Sequence, residues 1–504
     1  MEYKEDFNLQ PRSRISTTPD LSQFIDDYVK IEEILDFKLC DFENLCAQTF
    51  SMFQESGTAA RMYLDEITTL LKNWRSKIIE NRINVKIFIK CFEYHYIGDV
   101  MYSFINPDLS TLYPASIFSN FDIYTAILSG IHFLNIISYF DLDQFKSFLE
   151  GGQVFEILYK LFINDEFNYD KTVSGEILAT MINISPIEAK FPDPFPNFQE
   201  CFESVSELLR VFCKNGLPYC FLIRLLYNVS EILPFVFDLE TLQYIRITIG
   251  QLMDEDDFYF ALRFAFNLVK ENPKLSPFFF DFLGRYYHDI LDFQLDTISH
   301  AFRLLNLFVI ELPDQIVLQI FDLFEDINSV FERIFSSSAT AHQGLIFFSE
   351  ISSRTVNGEL LLMKFLHDMD ITIENICSNV LEASELISIY GKSEVVTFFS
   401  ALLENYNGAN ALCVEYLDPG LLSEIMQRGE DYLCLRSLKL LYAMINYVNA
   451  QGSENINHYI DVMNDCDIPE QVESLIDSEN EEISFMATAI TERVQSILER
   501  NESN

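Results

Sequence analysis

Residues 174–185 read SGEILATMINIS, and the core of that string, two apolar residues, an Asn and a further apolar residue, recurs along the chain. It returns as Phe133-Leu134-Asn135-Ile136, Met181-Ile182-Asn183-Ile184, Leu226-Tyr227-Asn228-Val229, Ala265-Phe266-Asn267-Leu268, Leu304-Leu305-Asn306-Leu307 and Met444-Ile445-Asn446-Tyr447. The first five asparagines stand 48, 45, 39 and 39 residues apart, and a gap of 140 residues precedes the sixth. Degenerate copies at Phe347-Phe348-Ser349 and Phe398-Phe399-Ser400 divide that gap into steps of 43, 51 and 46. A last copy ends in Ala489-Ile490-Thr491, and Phe88-Ile89-Lys90-Cys91 is an early candidate 44 residues before Asn135. Self-similarity at a spacing of roughly 40–50 residues points to stacked helical repeats rather than one globule. A chain of 504 residues needs such a solution, since single cores stop growing at roughly 250–300 residues.

At about 100° per residue, the positions five, two and one before each Asn and two after it form one arc on the side opposite the Asn. Those positions are apolar, as in Leu178, Met181 and Ile182, or Leu262, Ala265, Phe266 and Val269. Each such helix is therefore expected to bury one face and turn its Asn outward along a shared edge.

Helical spacing begins after Pro19, with Leu21, Phe24, Ile25, Tyr28, Ile31 and Leu35, and continues to Leu498. Breaks fall at Asn106-Pro107, Gly151-Gly152, 192–196, Asn272-Pro273 and Asn407-Gly408, with no useful strand alternation between them. The expected organisation is a flexible tail over 1–20, N-terminal helices or degenerate capping repeats over 21–110, repeats over 111–498 and a disordered tail over 499–504. The tail's Arg12-Ser13-Arg14-Ile15-Ser16 run reads as a solvated arm or as a site for a basophilic kinase. Residues 123–140 contain no Asp, Glu, Lys or Arg, but Ser129, Gly130, His132, Asn135 and Ser138 favour a buried hairpin over a membrane span.

Lys and Arg number 34 against 77 Asp and Glu, a net charge of −43 spread along the chain. Such a surface repels phosphate backbones and anionic lipid, so no nucleic acid and no membrane is expected as a partner. The ten cysteines form no Cys-x-x-Cys pair, and the polar N-terminus has no signal-peptide core, which together suit a cytoplasmic or nuclear protein.

With this period and its recurring Asn, residues 85 to 498 resemble the armadillo-repeat family. The best single copy is 149–158 followed by 174–185, similar to the family's Gly-containing turn, second helix and Asn-bearing third helix; 468–498 resembles a closing repeat. The resemblance implies an all-α, right-handed α-solenoid of about 9–10 repeats, each of about 42 residues in three helices. It also implies a concave groove lined by third helices, where an Asn amide both donates to and accepts from the backbone of an extended peptide. Carried over by position, Asn135, Asn183, Asn228, Asn267, Asn306 and Asn446 become groove candidates; the alternative is that each ties its own repeat to the next. Nuclear-import members pair such residues with a Trp one turn earlier. Here that place holds Ile131, Ala179, Arg224, Arg263, Phe302 and Tyr442, and the single Trp, Trp74, lies elsewhere.

Arg224 and Arg263 precede their Asn by four residues and Arg303 by three, near the Asn stripe. Either they satisfy carboxylates of adjacent helices, or they form a positive strip for an acidic or phosphorylated peptide. The expected function is thus a non-catalytic scaffold binding an extended segment of another protein. A nuclear-transport adaptor of the importin-alpha kind and a regulatory subunit that docks on an enzyme are the alternatives.

Catalytic and cofactor motifs are weak. Gly391-Lys392-Ser393 ends like a phosphate loop, but Leu386 stands where its first Gly belongs, leaving a helix-connecting turn. His95, His132, His288, His300, His342, His367 and His458 show no metal-ligand spacing, and Asp254 to Asp257 lack the Gly and terminal Glu of a calcium loop. No catalytic residue, cofactor or metal is expected.

Overall fold

The computed structural model describes residues 25, 27–106, 123–140, 154–163, 171–188, 219–231, 242–243, 245–246, 255–284, 294–323, 333–335, 337–356, 359–387, 389–428 and 430–502. The expected tail over 1–20, the breaks at Gly151-Gly152 and 192–196, and the segment 107–122 around the expected boundary at 110 lie outside them. Contacts divide the chain into two compact units, Met1–Leu268 and Val269–Asn504.

The first unit opens with α1 (Tyr28–Leu35), whose start is capped by Asp27: its Oδ1 accepts from Val29 N at 3.0 Å. Glu32 in the middle of α1 accepts the first N–H of α2 (Leu39–Glu55) at 2.9 Å, and extended Ser56 separates α2 from α3 (Gly57–Glu80). The helices α4 (Lys86–Tyr94) and α5 (Ile97–Ile105) close this end. Its core is aromatic: the Phe42 ring lies 5.6 Å from Trp74, 5.4 Å from Phe88 and 5.9 Å from Phe92. These tilted and edge-on arrangements are the ones ring quadrupoles favour. Trp74 is thus a core residue.

Residues 123–140, without formal charge, form α6 (Ile123–Ser138), packed among α3, α5 and α8 (Lys171–Glu188). Burial on nearly every side accounts for its composition. Gly130 lets α5 come close, since a Cβ there would meet Ile105 Cγ2 at 2.6 Å. Among the described residues no helix is long and apolar enough to cross a membrane. α7 (Val154–Ile163) packs on α8, and α9 (Tyr219–Ser230) and α10 (Glu255–Glu271) follow; the division between the units falls inside α10.

The second unit shows the repeat plainly. Behind α11 (Ser276–Leu283) come the long helices α12 (Leu295–Glu311) and α13 (Ser338–Ser353). Three triplets then follow: α14 (Leu361–Met369), α15 (Ile373–Leu386), α16 (Ile389–Asn405); α17 (Ala409–Tyr416), α18 (Pro419–Met426), α19 (Asp431–Gln451); α20 (Ser453–Asp465), α21 (Ile468–Ser474), α22 (Glu481–Glu502). Each triplet ends in a long helix, and α12, α13, α16, α19 and α22 pack one on the next. The apolar arc read from the sequence is the buried face: Leu441, Met444 and Ile445 are fully buried, each stabilising the stack by about 1.5–3 kcal/mol relative to exposure.

Three departures from the sequence reading appear. β1 (Thr355–Val356) pairs antiparallel with β2 (Glu359–Leu360), two residues each, in a stretch where no strand is expected. Gly391 to Ser393 lie in the first turn of α16 rather than between helices, with Lys392 Nζ 2.9 Å from Glu424 of α18. The helix α22 runs to Glu502, past the expected start of a tail at 499.

Candidate protein-binding face

The long third helices stand side by side within each unit, α3, α6, α8, α9 and α10 in the first and α12, α13, α16, α19 and α22 in the second. The asparagines lie in the seams between them. Asn135 of α6 is buried and donates through Nδ2 to Glu176 O at 3.3 Å and Thr180 Oγ1 at 3.0 Å on α8. Asn183 of α8, also buried, donates back to Ser138 Oγ of α6 at 3.0 Å, and Ser138 donates to Asn135 O at 2.7 Å. Asn228 of α9 donates to Ile182 O of α8 at 2.9 Å, and Asn267 of α10 to Ser230 Oγ of α9 at 3.0 Å.

In the second unit, buried Asn306 of α12 donates to Gln343 O of α13 at 3.1 Å. Where the sequence substitutes Ser, the hydroxyl does the same work: Ser349 of α13 donates to Glu394 O of α16 at 3.2 Å. Ser400 does not repeat this; its hydroxyl is buried without a hydrogen-bond partner, and Arg436 of α19 instead reaches Thr397 Oγ1 of α16 at 3.0 Å. Asn446 of α19 donates within its own helix to Tyr442 O at 3.0 Å and accepts from Arg493 Nε of α22 at 2.8 Å. Thr491, the expected last copy, donates to Ala487 O of its own helix at 3.1 Å.

Every one of the six asparagines therefore bonds the next or the preceding third helix. The outward orientation read from the sequence needs correction for Asn135, Asn183 and Asn306, which are buried; Asn228, Asn267 and Asn446 are half-buried. The reason is geometric: helix axes 8–10 Å apart put a stripe roughly opposite the core within amide reach of the neighbour. The copy at Phe88 to Cys91 falls on α4, outside the ladder; the third helix beside α6 is α3, where the Arg75 guanidinium lies 3.8 Å from the centroid of the Tyr139 ring just beyond α6. Burial pushes the Tyr139 hydroxyl up to about 12.

Two charged clusters sit on this face of the first unit. His132 Nε2 of α6 is 2.8 Å from Glu176 Oε2 of α8, whose side chain is only 4% exposed. Hydrogen bonding to that carboxylate raises the imidazole above the usual histidine value, against the effect of burial. The second cluster joins α9 and α10. Arg224 Nη2 stands 3.5 Å from Asp257 Oδ1, both nearly buried, with its guanidinium 5.1 Å from the Phe260 ring centroid. Arg263 Nη2 donates to Glu231 Oε1 at 2.9 Å, Nη1 donates to Tyr259 Oη at 2.9 Å, and the guanidinium lies 4.5 Å from the Tyr227 ring centroid. Tyr227 Oη also hydrogen-bonds Glu231. Side-chain exposure separates the pairs: 13% and 10% for Arg224 and Asp257, 31% and 42% for Arg263 and Glu231. Arg303 is half-buried on α12 of the second unit. Among the described residues no group of three or more His, Cys, Asp or Glu is placed to hold a metal.

Sequence comparison finds no matching family model and no matching curated protein. Structure comparison finds many neighbours. An engineered protein of a structural genomics consortium aligns with a TM-score of 0.57 at 13% identity, covering 89% of this chain and 99% of its own. A structure described as a conserved phosphorylation switch controlling the interaction between cadherin and beta-catenin aligns with a TM-score of 0.59 at 10% identity, covering 90% of this chain and 83% of its own. With third helices in register, three-helix repeats and these neighbours, the chain has the fold of the armadillo-type α-solenoids.

Proposed function

We propose that this chain is a non-catalytic scaffold that holds an extended segment of a partner protein against its third-helix face, with Arg263 receiving an acidic or phosphorylated side chain in exchange for Glu231. The observation that carries this is the exposure of the Arg263–Glu231 pair beside the half-buried Asn267, one turn away on the same helix face. An ion pair open to water contributes only about 0–1 kcal/mol, so a partner's phosphate, able to take both arms of the guanidinium, displaces it at little cost. Arg224, sequestered with Asp257, instead fixes α9 to α10. Asn228 and Asn267 border the same face, where an amide can meet an extended main chain. A protein partner accords with the neighbour described by its cadherin interaction.

Affinity capture of the full chain followed by mass spectrometry tests this. Arg263→Glu should lose a partner that the unmodified chain and Glu231→Gln retain, and phosphatase treatment of the lysate should weaken its capture. An unchanged set of captured proteins from a folded Arg263→Glu chain would overturn the reading.

A further inference from the structure

A second surface lies in the first unit, on helices that take no part in the ladder. α1, α2 and α4 enclose an open depression of about 800 Å³. Its floor includes the buried side chains of Leu39 and Ile87. Two tyrosines line it while largely in water, Tyr28 at 55% and Tyr94 at 74% exposure. Large aromatic rings left open beside a concave apolar floor mark a surface shaped for another chain.

Its charge selects what that chain carries. Three carboxylates, Glu32, Glu43 and Glu93, line the depression against one ammonium, Lys90. Glu32 is held in place by Lys38 Nζ at 2.8 Å and by Leu39 N at 2.9 Å. The Glu43 side chain is 56% exposed, with the His95 imidazole 3.9 Å away. Carboxylates flanked by tyrosine faces suit a guanidinium, which makes forked hydrogen bonds with its edge and stacks its plane on a ring. The chain as a whole carries a net charge of −43, which favours approach of a basic segment.

We propose that the depression between α1, α2 and α4 docks an arginine-bearing segment of a partner protein, with Tyr28 and Tyr94 stacking on guanidinium groups and Glu43 and Glu93 pairing with them. This surface is independent of the third-helix face and opposite to it in charge preference.

The test uses the full chain at about 0.15 M salt, where diffuse attraction is screened beyond about 8 Å, and a fluorescein-labelled octa-arginine peptide as probe. The triple variant Glu43→Gln, Glu93→Gln, Tyr94→Ala should weaken binding about tenfold, a difference of about 1.4 kcal/mol. A matched control in the second unit, Glu481→Gln, Glu482→Gln, Phe485→Ala, removes the same charge and an equally exposed ring and should change binding less than about twofold. A local readout comes from Cys40, exposed and lining the depression. Octa-arginine should slow its maleimide labelling, read by peptide mass spectrometry, in the unmodified chain and not in the triple variant. Equal weakening by the two triple variants, undiminished labelling of Cys40, or the absence of binding would each overturn the proposal.

Discussion

At Asn135 the amide is used as a donor: Nδ2 serves Glu176 O and Thr180 Oγ1 across the seam, at a site 1% exposed. Asn135→Ala removes the donor and should cost about 1–3 kcal/mol, the penalty for stranding buried partners. Asn135→Asp keeps the shape but points a carboxylate at a carbonyl oxygen, and should cost about 3–5 kcal/mol as an unpaired buried charge. Urea midpoints of the two variants check the order; an Asp variant as stable as the Ala variant would show that the hydrogen-bond polarity is immaterial. The sequence made these six asparagines visible because they recur at fixed spacing. It concealed their partners, Ser138, Thr180, Ser230 and Gln343, because hydroxyl and carbonyl acceptors alternate from seam to seam and therefore carry no period of their own.

Between elements, the tie of α6 to α8 depends on proton occupancy. His132 is raised by the Glu176 carboxylate, with Asp65 of α3 adding to the effect and Lys72 of α3 opposing it. The folded state therefore binds the proton more tightly than the unfolded chain. The resulting stabilisation is fully present below the ordinary histidine value of about 6.5 and is lost as pH rises through the raised folded value. His132→Gln should remove that contribution, so the difference in urea midpoint between the two proteins should shrink on going from about pH 5.5 to about pH 8.5. A difference independent of pH would show that the imidazole contributes by packing alone. The helix pattern was legible from the apolar arc alone, but the early copy at Phe88 to Cys91 misled: α4 has the period's spacing while α3, which does not carry the recurring Asn motif, occupies the ladder position. Likewise Arg224 and Arg263 were visible, yet their engagement with Asp257 and Glu231 depends on helix-to-helix juxtaposition, which spacing does not encode.

For the whole molecule, the excess of acidic groups sets the response to salt. With 34 Lys and Arg against 77 Asp and Glu, like charges outnumber opposite ones, so screening removes more repulsion than attraction. Raising ionic strength from about 0.01 M to about 0.15 M shortens the screening length from about 30 Å to about 8 Å. The melting temperature should rise, by about 2–4 °C for each kcal/mol of relieved repulsion in a unit of this size. Calorimetry across a chloride series checks the sign, and a falling midpoint would mean that attractive pairs dominate. The recurrence of about nine copies made the architecture readable at this scale, whereas the division at Leu268–Val269 falls within α10 and leaves no mark in composition.

Each seam differs in kind from the one beside it: amide to hydroxyl at α6–α8 and α9–α10 with amide to carbonyl at α8–α9 between them, then in the second unit amide to carbonyl, hydroxyl to carbonyl, guanidinium to hydroxyl and guanidinium to amide. Each third helix must fit two different neighbours, so its place in the order is specified. Transplanting or deleting one module would mismatch the locks on either side, and a chain built this way is expected to drift by paired changes across a seam rather than to grow or shrink by whole units.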